Sequence, residues 1–163
     1  MIQGLVANLI CPFLGSVAFE ILFNVPRRYY VAGGVTGTAG WLVYIWIEGY
    51  SSAAMASFAG ALVVVFISRM LTVKMKCPIT VFLISGIFPL VPGARVYYTA
   101  YYLVTGQTGL AGQSGLEALK IAFAIVLGIV LVVSIPREVF HGAVLEERQK
   151  KTTKIKIEKG ERT

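Results

Sequence analysis

Arg95 lies well inside an apolar stretch running from Cys77 to about Val104, two residues beyond the segment Pro89-Leu90-Val91-Pro92-Gly93. In lipid an unpaired cation costs several kcal/mol even on lenient scales, so Arg95 must face a partner or water. Two chemistries suit it. It can bind the carboxylate of an anionic or zwitterionic substrate, or it can pair with a glutamate or with carbonyls that Pro92 frees from the helix. Two prolines and a glycine at mid-membrane remove backbone hydrogen bonds that lipid does not replace, and half-helix ends exposed in this way can hold substrates or ions. Pro89, Pro92, Gly93, Arg95 and Tyr97 are therefore the candidate substrate-binding residues, with a packing kink as the alternative. Tyr97, Tyr98, Tyr101 and Tyr102 form two doublets four residues apart, which cover one broad helical face. Most of that face reads as an interfacial aromatic belt, with Tyr97, nearest the break, as the candidate pocket hydroxyl.

Glu20 is the second embedded charge, four residues before Asn24. It is the candidate coupling residue, as a proton-carrying carboxylate or as a partner for a substrate amine. Pairing with Arg27, Arg28 or an adjacent subunit competes with that reading. Gly33 and Gly37 form a GxxxG pair, which lets helix backbones approach closely in lipid and is read as helix packing. Little else could do chemistry. There are eight Glu and no Asp, one His and two Cys, so hydrolytic triads, carboxylate dyads and metal clusters lack raw material. His141 has no His or Cys nearby with which to hold a metal. Cys11 and Cys77 should lie at different depths, as apolar fillers without a disulfide. No nucleotide, zinc or dinucleotide motif is present, so no cofactor is expected and energy must come from a gradient or another chain. An enzyme is not expected.

The elements that must position these residues are membrane helices. The chain has 163 residues, of which 56% are hydrophobic and 14% charged, with mean hydropathy +0.75, which does not describe a water-soluble surface. Five apolar runs follow one another: Gln3 to Asn24, Tyr29 to Ile47, Ser51 to Leu71, Cys77 to Val104 and Leu116 to Ile135. Each approaches or exceeds the roughly 20 residues that cross a hydrocarbon core. The predicted fold is thus an all-α polytopic integral membrane protein of about five transmembrane helices, the fourth broken at Pro89 to Gly93. A four-span arrangement, with the second run partly re-entrant, is the alternative. No signal peptide is expected.

The net charge of +7 would suggest nucleic acid in a soluble chain, but here Lys and Arg sit in linkers and in the tail. By the positive-inside rule, Arg27-Arg28, the Arg69 to Lys76 cluster and Arg137 mark cytoplasmic ends, which puts the N-terminus outside. Trp41, Tyr44, Trp46 and Tyr50 form an outer aromatic belt, and Glu48 to Ser52 a short outer linker. Thr105 to Gly115 reads as a flexible outer loop, with Ser114 and Glu117 as a capping box starting the last helix near Gly115. Residues 1–140 form the membrane domain and 141–163 a basic cytoplasmic tail. The expected location is the cell (inner or plasma) membrane, with the lipid bilayer and no nucleic acid as partner.

Two segments carry a resemblance: Leu22-Phe23-Asn24-Val25-Pro26-Arg27-Arg28, and Ile87-Phe88-Pro89-Leu90-Val91-Pro92-Gly93 followed by Tyr97. Together they resemble the threonine/serine exporter family, over about Val17 to Arg137, and within it the C-terminal membrane half. That half also occurs as a separate small protein, similar to the small component of the bacterial two-component succinate exporter. The resemblance implies a subunit of a secondary exporter that acts with a larger membrane subunit and moves threonine and serine, or succinate. Arg95 lies in the motif's spacer, so its substrate role rests on the membrane-charge argument alone. A non-transporting scaffold subunit and a homo-oligomeric channel are the competing readings.

Overall fold

The computed structural model describes residues 2–135, which are helical almost throughout. His141 and the basic tail, expected on the cytoplasmic side, lie outside the described residues. The helices are α1 (Ile2–Leu22), α2 (Tyr30–Glu48), α3 (Ala53–Met75), α4 (Thr80–Ile87), α5 (Gly93–Val104) and α6 (Thr108–Val133). By length and composition α2, α3 and α6 can each cross a bilayer, and α4 with α5 passes the same test as a broken pair bent by 51°. The apolar α1 accounts for the fifth expected run. The protein is an all-helical polytopic membrane protein.

Local chemistry sets the helix ends. Asn24 adopts a left-handed conformation, φ 59°. The amide of Val25 donates to the carbonyl of Glu20 at 2.9 Å and that of Asn24 to Ile21 at 3.1 Å, a Schellman closure that Pro26 keeps from continuing. Gly106, φ +75°, ends α5 in the same way, with Gln107 donating to Tyr102 at 2.8 Å. Only a residue without a side chain takes that φ at no cost. Ser52 caps α3 by accepting from the Met55 amide. At the opposite end of α3, Arg69 donates to the carbonyls of Val133, at 2.7 Å, and Ile135, so a cation meets the C-terminal end of α6.

α2 and α3 form the centre, α1 and α4 cover α2, and α6 covers α3. The stripe Gly33, Gly34, Thr36, Gly37 and Gly40 is buried along α2. A Cβ on Gly60 would come within 3.0 Å of the Gly40 carbonyl oxygen and of Leu90, and one on Gly128 within 3.0 Å of the Phe58 carbonyl. The small residues therefore allow α2 against α3 and α3 against α6 at backbone distance, in a solvent where dispersion rather than water release drives packing. Leu90, from the broken segment, is inserted into the cluster of Ala61, Val64, Ile121 and Ile125.

One sequence expectation fails. Thr105 to Gly115 is not a loop: α6 begins at Thr108, and Ser114 is a buried residue inside it rather than its cap. The buried stripe Ala111, Ser114, Ala118, Ile121, Ile125, Gly128 and Val132 runs unbroken at alternating spacings of three and four. Packing along that stripe outweighs the ~1 kcal/mol that each glycine costs a helix.

Candidate substrate site at the broken helix

The break is a consequence of its prolines. Pro92 disfavours helical backbone at the residue before it, and Val91 is extended at φ −63°, ψ 132°. A 3₁₀ turn, Phe88–Leu90, precedes it, and Pro92 (φ −76°, ψ 52°) then centres an inverse γ-turn closed by the Gly93 amide on the Val91 carbonyl at 2.7 Å. α5 restarts at Gly93. The amides of Ala94 and Arg95 in its first turn have no helical acceptor, so they present the positive end of a 12-residue helix.

Gly93, Ala94 and Arg95 line a cavity of about 230 Å³ together with Trp41, Tyr44, Glu48, Ser57, Pro89 and Pro92. The Arg95 guanidinium pairs with Glu117 of α6 at 2.7 Å with both side chains half-exposed. Across the cavity the Tyr44 hydroxyl donates to Glu48 Oε1 at 2.7 Å, and the Trp41 and Tyr44 rings stack with centroids 5.2 Å apart. Ser57 is 1% exposed, and its Oγ has no hydrogen-bond partner among the described residues. The cavity therefore offers a guanidinium and a helix N-terminus, a carboxylate, an aromatic wall and an unsatisfied buried hydroxyl. That set complements a small zwitterion bearing a hydrogen-bonding group.

Pro89, Pro92, Gly93 and Arg95 are thus brought together in one wall. Tyr97 is not: it is 64% exposed, stacked on Tyr101 and edge-on to Tyr98, on the outside of the bundle. Glu20 lies elsewhere, fully buried between α1, α2 and α4, and pairs with neither Arg27 nor Arg28. Gly33 and Gly37 face α1, where a Cβ would collide with the Glu20 carboxylate and with Ser16 Oγ. Cys11 and Cys77 are both free, and burial pushes the Cys77 thiol up, as suits an inert filler. Among the described residues no group of three metal-ligating side chains occurs.

Sequence reasoning missed Glu48, Tyr44 and Ser57 as site residues. The signal was the spacing of Trp41, Tyr44 and Glu48, three and then four apart, which puts them on one face of α2.

A polytopic helical bundle with a polar pocket at a discontinuous helix is an arrangement found in membrane transporters. The chain belongs to the threonine/serine exporter family: the family model described as "Threonine/Serine exporter, ThrE" matches residues 8–135. No curated protein and no solved structure matches the chain. The match takes in all six helices except the first turns of α1, so the pocket and the buried Glu20 both fall within the family region.

Proposed function

We propose that the chain is the small membrane subunit of a secondary exporter of threonine and serine, working in the cell membrane with a larger membrane subunit. The observation that carries this reading is the presence of Glu48 and Arg95 in the wall of one small cavity. The substrate carboxylate meets the free donors of Arg95 and the amides of Ala94 and Arg95. The ammonium group meets Glu48 and the ring faces of Trp41 and Tyr44, and the substrate hydroxyl meets Ser57. The volume suits a hydroxy-amino acid, and the Glu48 carboxylate opposes a second anionic group. A dicarboxylate such as succinate therefore fits this wall less well than a zwitterion.

The cavity lies at the end of the bundle where α2 leaves and α3 enters. The positive-inside rule places that end outside and the Arg27-Arg28 and Arg69 to Lys76 ends, with the C-terminal tail, in the cytoplasm. The conformation is then one open for release, and Pro89, Pro92 and Gly93 serve as the fixed frame of the site. The α5 face bearing Tyr97, Tyr98 and Tyr101 is left for lipid or for the larger subunit.

The test is uptake of labelled serine, threonine and succinate into proteoliposomes holding this chain alone or with the larger subunit, with and without a proton gradient. Serine and threonine transport with both chains is expected. Transport by this chain alone would replace the partner with a homo-oligomeric path. A complex that forms normally yet moves none of the three would make the chain a scaffold.

A further inference from the structure

A second polar cluster lies apart from the pocket. Gly33 and Tyr44 are separated on α2 by eleven residues, about 16 Å of helical rise. Glu20 is 0% exposed there, with Ser16 at 0% and Ser85 at 1% beside it. Its Oε2 has no hydrogen-bond partner among the described residues, and neither has Ser16 Oγ. Ser85 Oγ lies 3.4 Å from Glu20 Oε1 but 3.0 Å from the Val81 carbonyl, so its one hydrogen is better placed for Val81 and its lone pair is left toward Glu20.

Among the described residues no positive charge pairs with this carboxyl. Besides Glu20, the titratable or charged side chains on and beside the elements around it are Cys11 on α1, Arg27, Arg28 and Tyr29 in the connecting turn, Tyr30, Tyr44 and Glu48 on α2, and Cys77 before α4. α4 and the Phe88–Leu90 turn carry none. Arg28 lies over the Tyr29 ring, Tyr29 packs edge-on to Phe82, and among the described residues no ion pair reaches Glu20. A bare carboxylate buried with no donor well placed for it is prohibitively costly. A metal ion lacks ligands there, because among the described residues no group of three metal-ligating side chains occurs, and Gly33 closes over Oε1 so tightly that even a methyl group on it would collide. The smallest cation, a proton, removes the charge and supplies the hydrogen that the Ser85 lone pair lacks.

We propose that Glu20, Ser16 and Ser85, closed over by Gly33 and Gly37, form a proton-binding site that latches α1 onto α2 and α4. The proton enters from water at the Asn24–Pro26 end and adds to the Glu20 carboxylate, giving the neutral acid and closing the seam. Its loss regenerates the carboxylate, which needs water, and the seam opens. The neighbouring Phe19 stacks on Phe88 with centroids 3.3 Å apart, and Phe88 adjoins Pro89 in the pocket wall. Opening the seam therefore pulls on the frame of the substrate site. That consequence rests on the exporter reading; the latch itself does not.

The test uses the full chain in liposomes, with C11A and C77A removing the native thiols. Ser16 is 0% exposed on α1, and its hydroxyl is directed at Gly37 of α2, so S16C reports on the seam. Its labelling rate by a small maleimide is measured against pH with Glu20 intact and with E20Q, the ratio of the two cancelling the thiol's own pH dependence. Infrared difference spectra between the same two proteins report the protonated carboxyl. The ratio should rise at least about tenfold from acid to alkaline pH, as the protonated carboxyl band lost in E20Q disappears over the same range. A flat ratio, or no protonated carboxyl lost on E20Q at any pH, overturns the proposal. If E20Q does not fold, E20D shifts the band and serves in its place. A pH-dependent seam in a chain that moves no amino acid even together with the larger subunit keeps the latch and sinks the exporter reading, and serine transport by the two chains with a pH-indifferent seam does the reverse.

Discussion

Arg95 and Glu48 have opposite histories as readable residues. Arg95 stands out in a sequence because it interrupts an apolar run, and its need for a partner is met by Glu117 on α6. Glu48 stands at the end of α2, where a charge is ordinary, and only the fold turns it toward the break. Each contributes a charge-assisted hydrogen bond to the proposed substrate, worth about 1.5–3 kcal/mol. R95Q and E48Q should therefore each weaken serine binding about 10- to 100-fold, measured by equilibrium binding of labelled serine to the purified exporter. S57A should discriminate by substrate, weakening serine and threonine while leaving alanine competition unchanged. Equal losses for all three would place Ser57 outside the substrate's reach.

The helices and the break were legible because apolar length and proline chemistry act locally. The Pro92 effect on Val91 needs no tertiary contact, whereas the start of α6 does. Gly109, Gly112 and Gly115 argue against helix one residue at a time, and the Ala111, Ser114, Ala118 stripe that overrides them has meaning only once α3 and α5 are beside it. Leu90 likewise reads as part of a break, yet it anchors the break by filling the space between Gly40 and Gly60. G60A should overpack this joint and cost about 1–3 kcal/mol, seen as a lower unfolding midpoint in detergent. A larger residue there, as in G60L, should displace Leu90 and abolish serine binding even where the helical content by circular dichroism persists. Unchanged stability in G60A would mean that the joint is looser than its distances indicate.

For the whole molecule, the ends of α3 and α6 joined by Arg69 share one side with Arg27 and Arg28, and the Glu48 to Ser52 linker lies on the other. S51C and K74C, each in the C11A and C77A background, should react with an impermeant maleimide from opposite sides of intact cells, S51C directly and K74C only after permeabilisation. The reverse pattern would invert the bundle and turn the pocket to the cytoplasm. Substrate choice was the least legible property, since the resemblance allowed a hydroxy-amino acid or a dicarboxylate. In the proposed site it depends on Glu48 and Arg95, 47 residues apart in the chain, lining one cavity. The most direct measurement is transport of serine and succinate by the complete exporter in proteoliposomes, comparing the unaltered protein with E48Q and R95Q at matched assembly. Both substitutions should cut serine transport at least about tenfold, and E48Q should leave succinate transport unchanged or raise it. Serine transport unaffected by either substitution would contradict a substrate site at the broken helix.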